Sequence, residues 1–571
     1  MAWYDEAVFY HIYPLGLTNA PKQNPYGEPE HRLNTLLPWI SHIKSIGCNA
    51  IYIGPLFESV GHGYETTDYK KLDSRLGTNE DLTNFVAECH RQGVRVILDG
   101  VFNHTGRDFF AFQDIKQNRE NSRYKDWYCN VNFWGNNEYN DGFTYDNWGG
   151  YNLLAKLNQH NPEVRNYICE VIRFWVSEFD IDGIRLDAAD VLDFSYMQAL
   201  RQVANEVKPD FWLMGEVIHG DYIRWVNEGT LHSVTNYHLH KALFSGHNDH
   251  NYFEIAHTVK RLYEMGGSRP DGLKLYNFVD NHDVERIYTK LNNKNHFTPA
   301  HILMYTLPGI PSIYYGSEFG IEGRKERGSD NSLRPALSLE NYADALETNP
   351  CTKLLAALGR LRQNTPALSY GEYKELRLTN CQYAFARNYN GQSVIVTVNN
   401  ADNDETLTLP ASNTSEYIGG LSGTRVTVNN GTITVTVKAN SGDIWIPADS
   451  AKELKEVTLE PIVTAKAEPK PQAPTIVQET VTETTPPAKT VVEESKSEES
   501  INIETSAPTS EPAKAPVTVP NKPYEEMTVE ELQAAVLERL KKNGPVTEQM
   551  KKDVAENIYH DSLVNWIKSF H

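Results

Sequence analysis

The sequence predicts an α/β protein: a (β/α)8 TIM barrel with an inserted subdomain, a C-terminal antiparallel β-sandwich, a disordered linker and a small helical module. Three observations predict it. Over residues 1–375 short apolar runs alternate with helical patterns eight times, the signature of repeated βα units. Over residues 376–448 short alternating runs are separated by turn signals, as in a small sandwich. From Asp449 to Pro523 there is no Phe, Trp or Tyr, and Pro, Thr, Glu, Lys and Val dominate. Such a stretch cannot bury enough apolar surface to offset its ordering entropy.

Taken in order, the barrel strands are expected at Val8–Ile12, Ala50–Ile53, Val94–Leu98, Gly183–Leu186, Phe211–Met214, Ser233–Asn236, Leu275–Phe278 and Ser312–Tyr315. The third gap is anomalous. Between Asn103 and Asp182 lie about 80 residues, where a loop and a helix need roughly half that, so a B subdomain is expected over about 104–160. It is rich in aromatic residues (Phe109, Phe110, Phe112, Trp127, Tyr128, Phe133, Trp134, Tyr145 and Trp148), interleaved with Asn and Asp. In the sandwich, Ser393–Val398, Thr432–Val437 and Asp443–Ile446 read as strands, with Asn430-Gly431 as a hairpin turn. Residues 449–523 form the linker. Residues 524–571 form the module, opened by the capping box Thr528-Val-Glu-Glu531. Its helical pattern ends at Asn543-Gly544-Pro545, and a second helix follows Thr547. Leu532, Val536, Leu540, Met550, Val554 and Trp566 give it a small apolar face, for which the alternatives are a self-contained hairpin bundle and a docking surface for a partner protein or a second copy.

Composition excludes several classes. The 571 residues carry 54 Lys and Arg against 75 Asp and Glu, a formal charge of −21, which repels phosphate backbones and argues against nucleic-acid binding. No apolar stretch approaches the ~20 residues that span a bilayer. Met1-Ala-Trp-Tyr-Asp-Glu has no basic or apolar leader region, and the six cysteines include no C-x-x-C pair, so a cytoplasmic chain with buried, reduced thiols is expected.

In a barrel of this kind, residues just past the C-terminal ends of the strands face the catalytic mouth. Strand three runs into Asp99-Gly-Val-Phe-Asn103-His104, strand four into Asp187, strand five into Gly215-Glu216 and strand seven into Asp280-Asn281-His282-Asp283. Singly, Asp187 reads as a helix cap, Glu216 as a loop acid and the histidines as structural residues. Jointly, Asp187, Glu216 and Asp283 crowd one mouth beside Arg185, His104 and His282. Like charges held together raise one another's pKa, an arrangement tolerated mainly where it is used. Glycoside cleavage uses one carboxylic acid to protonate the leaving oxygen and one carboxylate to meet the oxocarbenium-like centre. Arg185 shares a strand face with Asp187 and can hold it ionised.

With these residues in view, the chain resembles the α-amylase family, glycoside hydrolase family thirteen, over residues 1–448. Asp99–His104, Gly183–Asp187, Gly215-Glu216 and Phe278–Asp283 resemble its four short motifs. The resemblance implies that Asp187 is the nucleophile, Glu216 the general acid/base, and Asp283 the residue that grips sugar hydroxyls. Tyr64, in His62-Gly63-Tyr64, resembles the tyrosine that stacks under the sugar, and His104, Arg185 and His282 fall on positions around that sugar. Leu154-Ala-Lys156-Leu-Asn158, Glu216-Val-Ile-His219, Val234-Thr-Asn236-Tyr237 and Arg334-Pro335 resemble segments of the neopullulanase, cyclomaltodextrinase and maltogenic amylase branch. That branch usually carries an N-terminal β-domain that builds a dimer, whereas here the barrel begins at Trp3.

The implied function is a retaining hydrolase of α-1,4 bonds, with α-1,6 bonds as an addition, in maltooligosaccharides, cyclodextrins and related α-glucans. A transglycosylase shares the glycosyl-enzyme intermediate and is the alternative; a non-catalytic carbohydrate-binding relative is expected to have lost a carboxylate that this chain keeps. No cofactor is implied as required and no metal site is expected; the alternative is calcium at Asn103, as in many secreted members. A retaining mechanism further implies that the Asp187 and Glu216 carboxyls stand about 5–5.5 Å apart.

Overall fold

Parallel strands covered on both faces read as unbroken apolar runs, and Ala50-Ile-Tyr-Ile53 is buried along its whole length. The computed structural model of the chain describes residues 2–265, 272–411, 413–451, 461–462, 527–543, 551, 554 and 567. Among them, eight strands form one parallel sheet: β1 (Phe9–Ile12), β2 (Ala50–Ile53), β3 (Arg95–Gly100), β4 (Gly183–Leu186), β5 (Trp212–Gly215), β6 (Ser233–Val234), β7 (Tyr276–Asn277) and β8 (Ile310–Tyr314). Their order is β6-β5-β4-β3-β2-β1-β8-β7, and a parallel bridge between Thr235 and Tyr276 joins the two ends into a barrel. All eight expected strands are present, with edges shifted by no more than two residues.

Two apolar layers hold the barrel. Inside it, Phe9, Ala50, Tyr52, Ile97, Trp212, Met214, Tyr276 and Ile310 fill the lumen. Phe9 stacks on Trp212 with ring centroids 5.1 Å apart. Trp3 and Tyr4, on the 3-10 turn Trp3–Glu6, pack under this layer and close its N-terminal end. Outside, the opposite strand faces meet amphipathic helices in a far larger core that includes Leu82, Phe85, Ile168, Ile172, Leu200 and Leu355. Local chemistry starts those helices. Thr78 caps Asn79–Arg91 in a capping box with Asp81, Asn161 caps Pro162–Phe179, and Asp193 caps Phe194–Val207.

The insertion after β3 pairs His104–Thr105, Tyr151–Lys156 and Asn147–Trp148 in a small antiparallel sheet. Phe112, Tyr128, Phe143 and Tyr145 pack over it, and Arg107 forms an ion pair with Asp141 at 2.7 Å. Not every aromatic residue of the insertion is buried. The ring of Trp134 is 99% exposed and Phe110 is 43% exposed. The Trp134 amide donates to Asn132 Oδ1 in a tight turn that aims the indole at solvent.

After the barrel come β9 (Glu372–Leu378), β10 (Gln382–Tyr389), β11 (Gln392–Asn399), β12 (Glu405–Pro410), β13 (Glu416–Gly419), β14 (Arg425–Thr427), β15 (Thr432–Val437) and β16 (Ser441–Pro447). Among the described residues they form a six-stranded antiparallel sheet, β9-β10-β11-β16-β13-β14, and the pair β12-β15. Ile395, Leu407, Tyr417, Val435 and Trp445 fill the space between them. Asn430 and Gly431 both adopt positive φ, 50° and 74°, in the hairpin turn expected there. Cys48, Cys89, Cys169 and Cys351 are buried as expected, whereas Cys129 and Cys381 are partly exposed.

The chain divides into two units, Met1–Lys470 and Pro471–His571. Most of the expected linker lies outside the described residues. In the second unit the helix Val529–Asn543 opens with the expected capping box: the Thr528 amide donates to Glu531 Oε2 at 2.7 Å and the Glu531 amide to Thr528 Oγ1 at 3.3 Å. Of the two alternatives for the apolar face, the described residues match the self-contained one. Leu532 and Val536 are buried in a cluster with Met527, Val554 and Ile567, because an apolar stripe this short gains most by closing on its own module. Met550 and Trp566 lie outside the described residues.

Candidate active site

The register of three neighbouring strands assembles the carboxylates. Asp99 on β3 pairs with Arg185 on β4, and Arg185 pairs with Met214 on β5. One step on, the Asp187 amide donates to Gly100 O and the Glu216 amide to Leu186 O, so both acids leave the same rim of the barrel. Side chains two apart on a strand share a face, which puts Arg185 and Asp187 together. The Arg185 guanidinium is the hub: Nη1 donates to Asp99 Oδ1 at 2.8 Å and to Asp187 Oδ1 at 2.9 Å, and Nη2 meets Glu216 Oε2 at 3.0 Å.

Backbone details make room for this. A Cβ on Gly54, at the end of β2, would stand 2.3 Å from Asp99 Cβ, and one on Gly215 would stand 2.7 Å from Ala189 Cβ. Ala188, directly after Asp187, takes a left-handed φ of 46°, and its amide donates to Glu216 Oε2 at 3.0 Å. A non-glycine residue held there is strain of the kind that gathers at functional sites.

The loop after β7 supplies the rest. Asp283 Oδ2 lies 3.0 Å from His282 Nε2, and its Oδ1 accepts from Arg334 Nη2 at 2.8 Å. The Tyr64 hydroxyl lies 2.5 Å from His282 Nε2 and 3.2 Å from Asp99 Oδ2, and its ring lies parallel to the imidazole. His104 is buried one strand away, with Nε2 3.2 Å from the Tyr64 carbonyl. All seven residues singled out in the sequence (Tyr64, His104, Arg185, Asp187, Glu216, His282 and Asp283) thus join one network of contacts at the C-terminal end of the barrel.

The electrostatics separate the acids. Burial, with the Glu216 and Asp99 charges behind it, pushes the Asp187 carboxyl well up, while Arg185 pulls against that rise. Burial also works against ionisation of Asp283, but His282, Arg334 and Arg185 outweigh it and hold this carboxyl well below the usual range. Burial lowers His104 to about 4, so it is neutral at pH 7. The Tyr64 phenol is raised by burial and by Asp99, which keeps its proton in place as a donor.

Three contacts were not singled out as site residues from the sequence. Asp99 anchors Arg185 and also accepts from the Tyr52 hydroxyl at 2.8 Å. Arg334 donates through Nε to the His282 carbonyl at 3.0 Å, fixing the loop that carries Asp283. Tyr13 stacks on His282 beneath Arg334. Tyr13 lies one residue past β1, where a strand end points to the mouth; Arg334 sits in a loop no strand end announces. Elsewhere, a cavity of about 880 Å³ in the sandwich domain borders Asp443. Both Asp443 oxygens are taken up by the amides of Leu421, Ser422 and Ile444, so that acid is structural.

Known proteins resemble this chain in sequence and in fold. The family model for the α-amylase catalytic domain matches residues 32–413, more than half of the chain. A cyclomaltodextrinase of Bacillus sp is 31% identical over 433 residues, covering 71% of this chain and 75% of that protein. The intracellular maltogenic amylase of Bacillus subtilis is 31% identical over 345 residues, 57% of each chain. A solved cyclomaltodextrinase structure superposes with a TM-score of 0.69 at 27% identity, covering 78% of each chain. The chain belongs to the α-amylase family of glycosidases.

Proposed function

We propose that this chain is a retaining hydrolase of α-1,4-glucosidic bonds, and of α-1,6 bonds in addition, in maltooligosaccharides, cyclodextrins and related α-glucans. Asp187 is the nucleophile, Glu216 the acid/base, and Asp283 the residue that grips the sugar. The observation that carries this reading is the Arg185 guanidinium, which meets both Asp187 and Glu216 on adjacent strands. Retention needs these two carboxyls about 5–5.5 Å apart, and two acids held by one guanidinium suit that short spacing.

In the first step Glu216 protonates the glycosidic oxygen as Asp187 attacks the anomeric carbon and the C–O bond breaks. In the second, Glu216 takes a proton from water, which displaces Asp187 and restores both groups. Arg185 stabilises the Asp187 carboxylate as it forms and as it is released. Asp283, held ionised by Arg334 and His282, accepts from sugar hydroxyls, and Tyr64 offers the ring on which the sugar stacks. The names of the cyclomaltodextrinase and maltogenic amylase relatives support the substrate class. The word intracellular in the Bacillus subtilis name supports a cytoplasmic site of action; among the described residues no helix is long and apolar enough to cross a membrane.

Thin-layer chromatography of products from maltotriose, β-cyclodextrin, pullulan and starch tests the reading. Short maltooligosaccharides from the wild type, and none from Asp187→Asn, are expected. No hydrolysis of any of the four would refute it.

A further inference from the structure

Four hydrogen bonds in series cross the boundary between the barrel and its insertion. The Asp193 amide donates to Gln159 Oε1 at 2.6 Å, and Gln159 Nε2 donates to Asn103 Oδ1 at 3.0 Å. Asn103 Nδ2 stands 3.3 Å from His104 Nδ1, and His104 Nε2 stands 3.2 Å from the Tyr64 carbonyl. Gln159, Asn103 and His104 are all buried. The ends of the series fix its direction. A backbone N–H can only donate and a carbonyl can only accept. Gln159 therefore presents its NH2 to Asn103, Asn103 presents its NH2 to His104 Nδ1, and the histidine proton sits on Nε2, facing Tyr64. The depressed His104 pKa agrees with a neutral ring.

The same atoms bear on calcium, which many secreted family members hold at the position of Asn103. A calcium ion takes six to eight oxygens, carboxylates prominent among them. Here the Asn103 side-chain oxygen already accepts an N–H, and its backbone oxygen accepts the Leu157 amide. Asp193, the acid beside it in the network, spends Oδ1 on Ser195 Oγ and on the Tyr196 amide. Among the described residues no group of three or more His, Cys, Asp or Glu side chains converges to hold a metal. The donor set does not fit the ion.

We infer that Gln159 is a positioning residue whose amide does the work of a structural cation. It ties the loop after β4 (Asp193), the insertion (its own backbone) and the end of β3 (Asn103) together, and it sets the tautomer of His104 and the anchoring of Tyr64. It touches no reacting atom. It acts through the two residues that line the sugar site.

Glu in place of Gln provides the test. A glutamic acid has the shape of glutamine and, when protonated, donates an O–H to Asn103 as the amide does. A glutamate cannot. Burial favours the protonated form, so the folded-state pKa is raised; the bond is present at low pH and lost as pH rises through that value. Gln159→Glu should therefore lower Tm and kcat/KM for maltotriose relative to wild type at about pH 8, the latter roughly tenfold or more, and recover towards wild type near pH 5. The wild-type Tm should be indifferent to EDTA and to added CaCl2. Nitrogen-15 histidine spectra, with His104 assigned by difference against His104→Asn, should show the neutral Nε2–H tautomer.

A deficit in Gln159→Glu that is absent, or the same at every pH, would overturn the inference. So would an Nδ1–H tautomer, or a wild-type Tm lowered by EDTA. Only the kcat/KM comparison rests on the proposed hydrolase activity. A wild type inactive on maltotriose would count against that activity, while the Tm and tautomer measurements would still decide this inference.

Discussion

Arg185 meets three carboxylates with one charge, and the two acids flanking the proposed reaction compete for it. That competition gives a stability prediction. Asp187 holds its proton more tightly in the fold than in the unfolded chain, where an Asp titrates near 3.9. What it contributes to stability is fully present below that unfolded value and is lost as pH rises through the folded one. Asp187→Asn carries no charge to bury and keeps an acceptor for Arg185. It should therefore raise Tm at neutral pH, with the gain vanishing near pH 4, while kcat falls by about four orders of magnitude or more. Thermal melts across pH, set beside assays, check both halves; a Tm below wild type at neutral pH would contradict them. Glu216→Gln removes the proton donor and should cost about 10²–10⁴ in kcat on maltotriose. An aryl glycoside with an activated leaving group needs little protonation and should be largely spared. Equal losses on both substrates would deny Glu216 the acid role.

At the scale of elements, what the sequence revealed follows from how locally each feature is encoded. The barrel strands were readable because a strand buried on both faces must be apolar along its length, as Ala50–Ile53 is. The four motif ends were readable because Asp99, Asp187, Glu216 and Asp280 lie one or two residues beyond such a run, with His282 and Asp283 on the same loop as Asp280. The insertion betrayed itself by length. Tyr13, one residue past β1, is legible by the same strand-end rule, whereas Arg334 is not, because its contacts with Asp283 and His282 join segments far apart in the chain, which no local pattern records. The exposure of Trp134 is likewise not marked in the sequence. Its neighbours Phe133 and Phe143 obey the rule that aromatic residues pack inside, but the turn at Asn132 decides which way the next side chain faces. The stripe at Leu532 and Val536 leaves two readings open because it does not itself name the surface that covers it.

For the whole molecule, the division into Met1–Lys470 and Pro471–His571 separates the proposed chemistry from the helical module. Truncation after Lys470 should leave kcat/KM for maltotriose essentially unchanged. Truncation at Ala448 removes Ile462 as well, which belongs to the large core of the first unit and is 8% exposed. That shorter chain should lose about 1–3 kcal/mol of stability yet keep its activity below its Tm. Urea melts and assays of both truncations check this, and a large fall in kcat/KM after removal of the module alone would contradict it. The central claim concerns how the bond is broken, and the configuration of the first product tests it most directly. Proton NMR of a fresh digest of maltotriose or β-cyclodextrin resolves the anomeric signal before mutarotation. Displacement at Asp187 followed by displacement by water predicts that the new reducing end appears as the α-anomer. A β-anomer as first product would mean direct attack by water and would contradict the account.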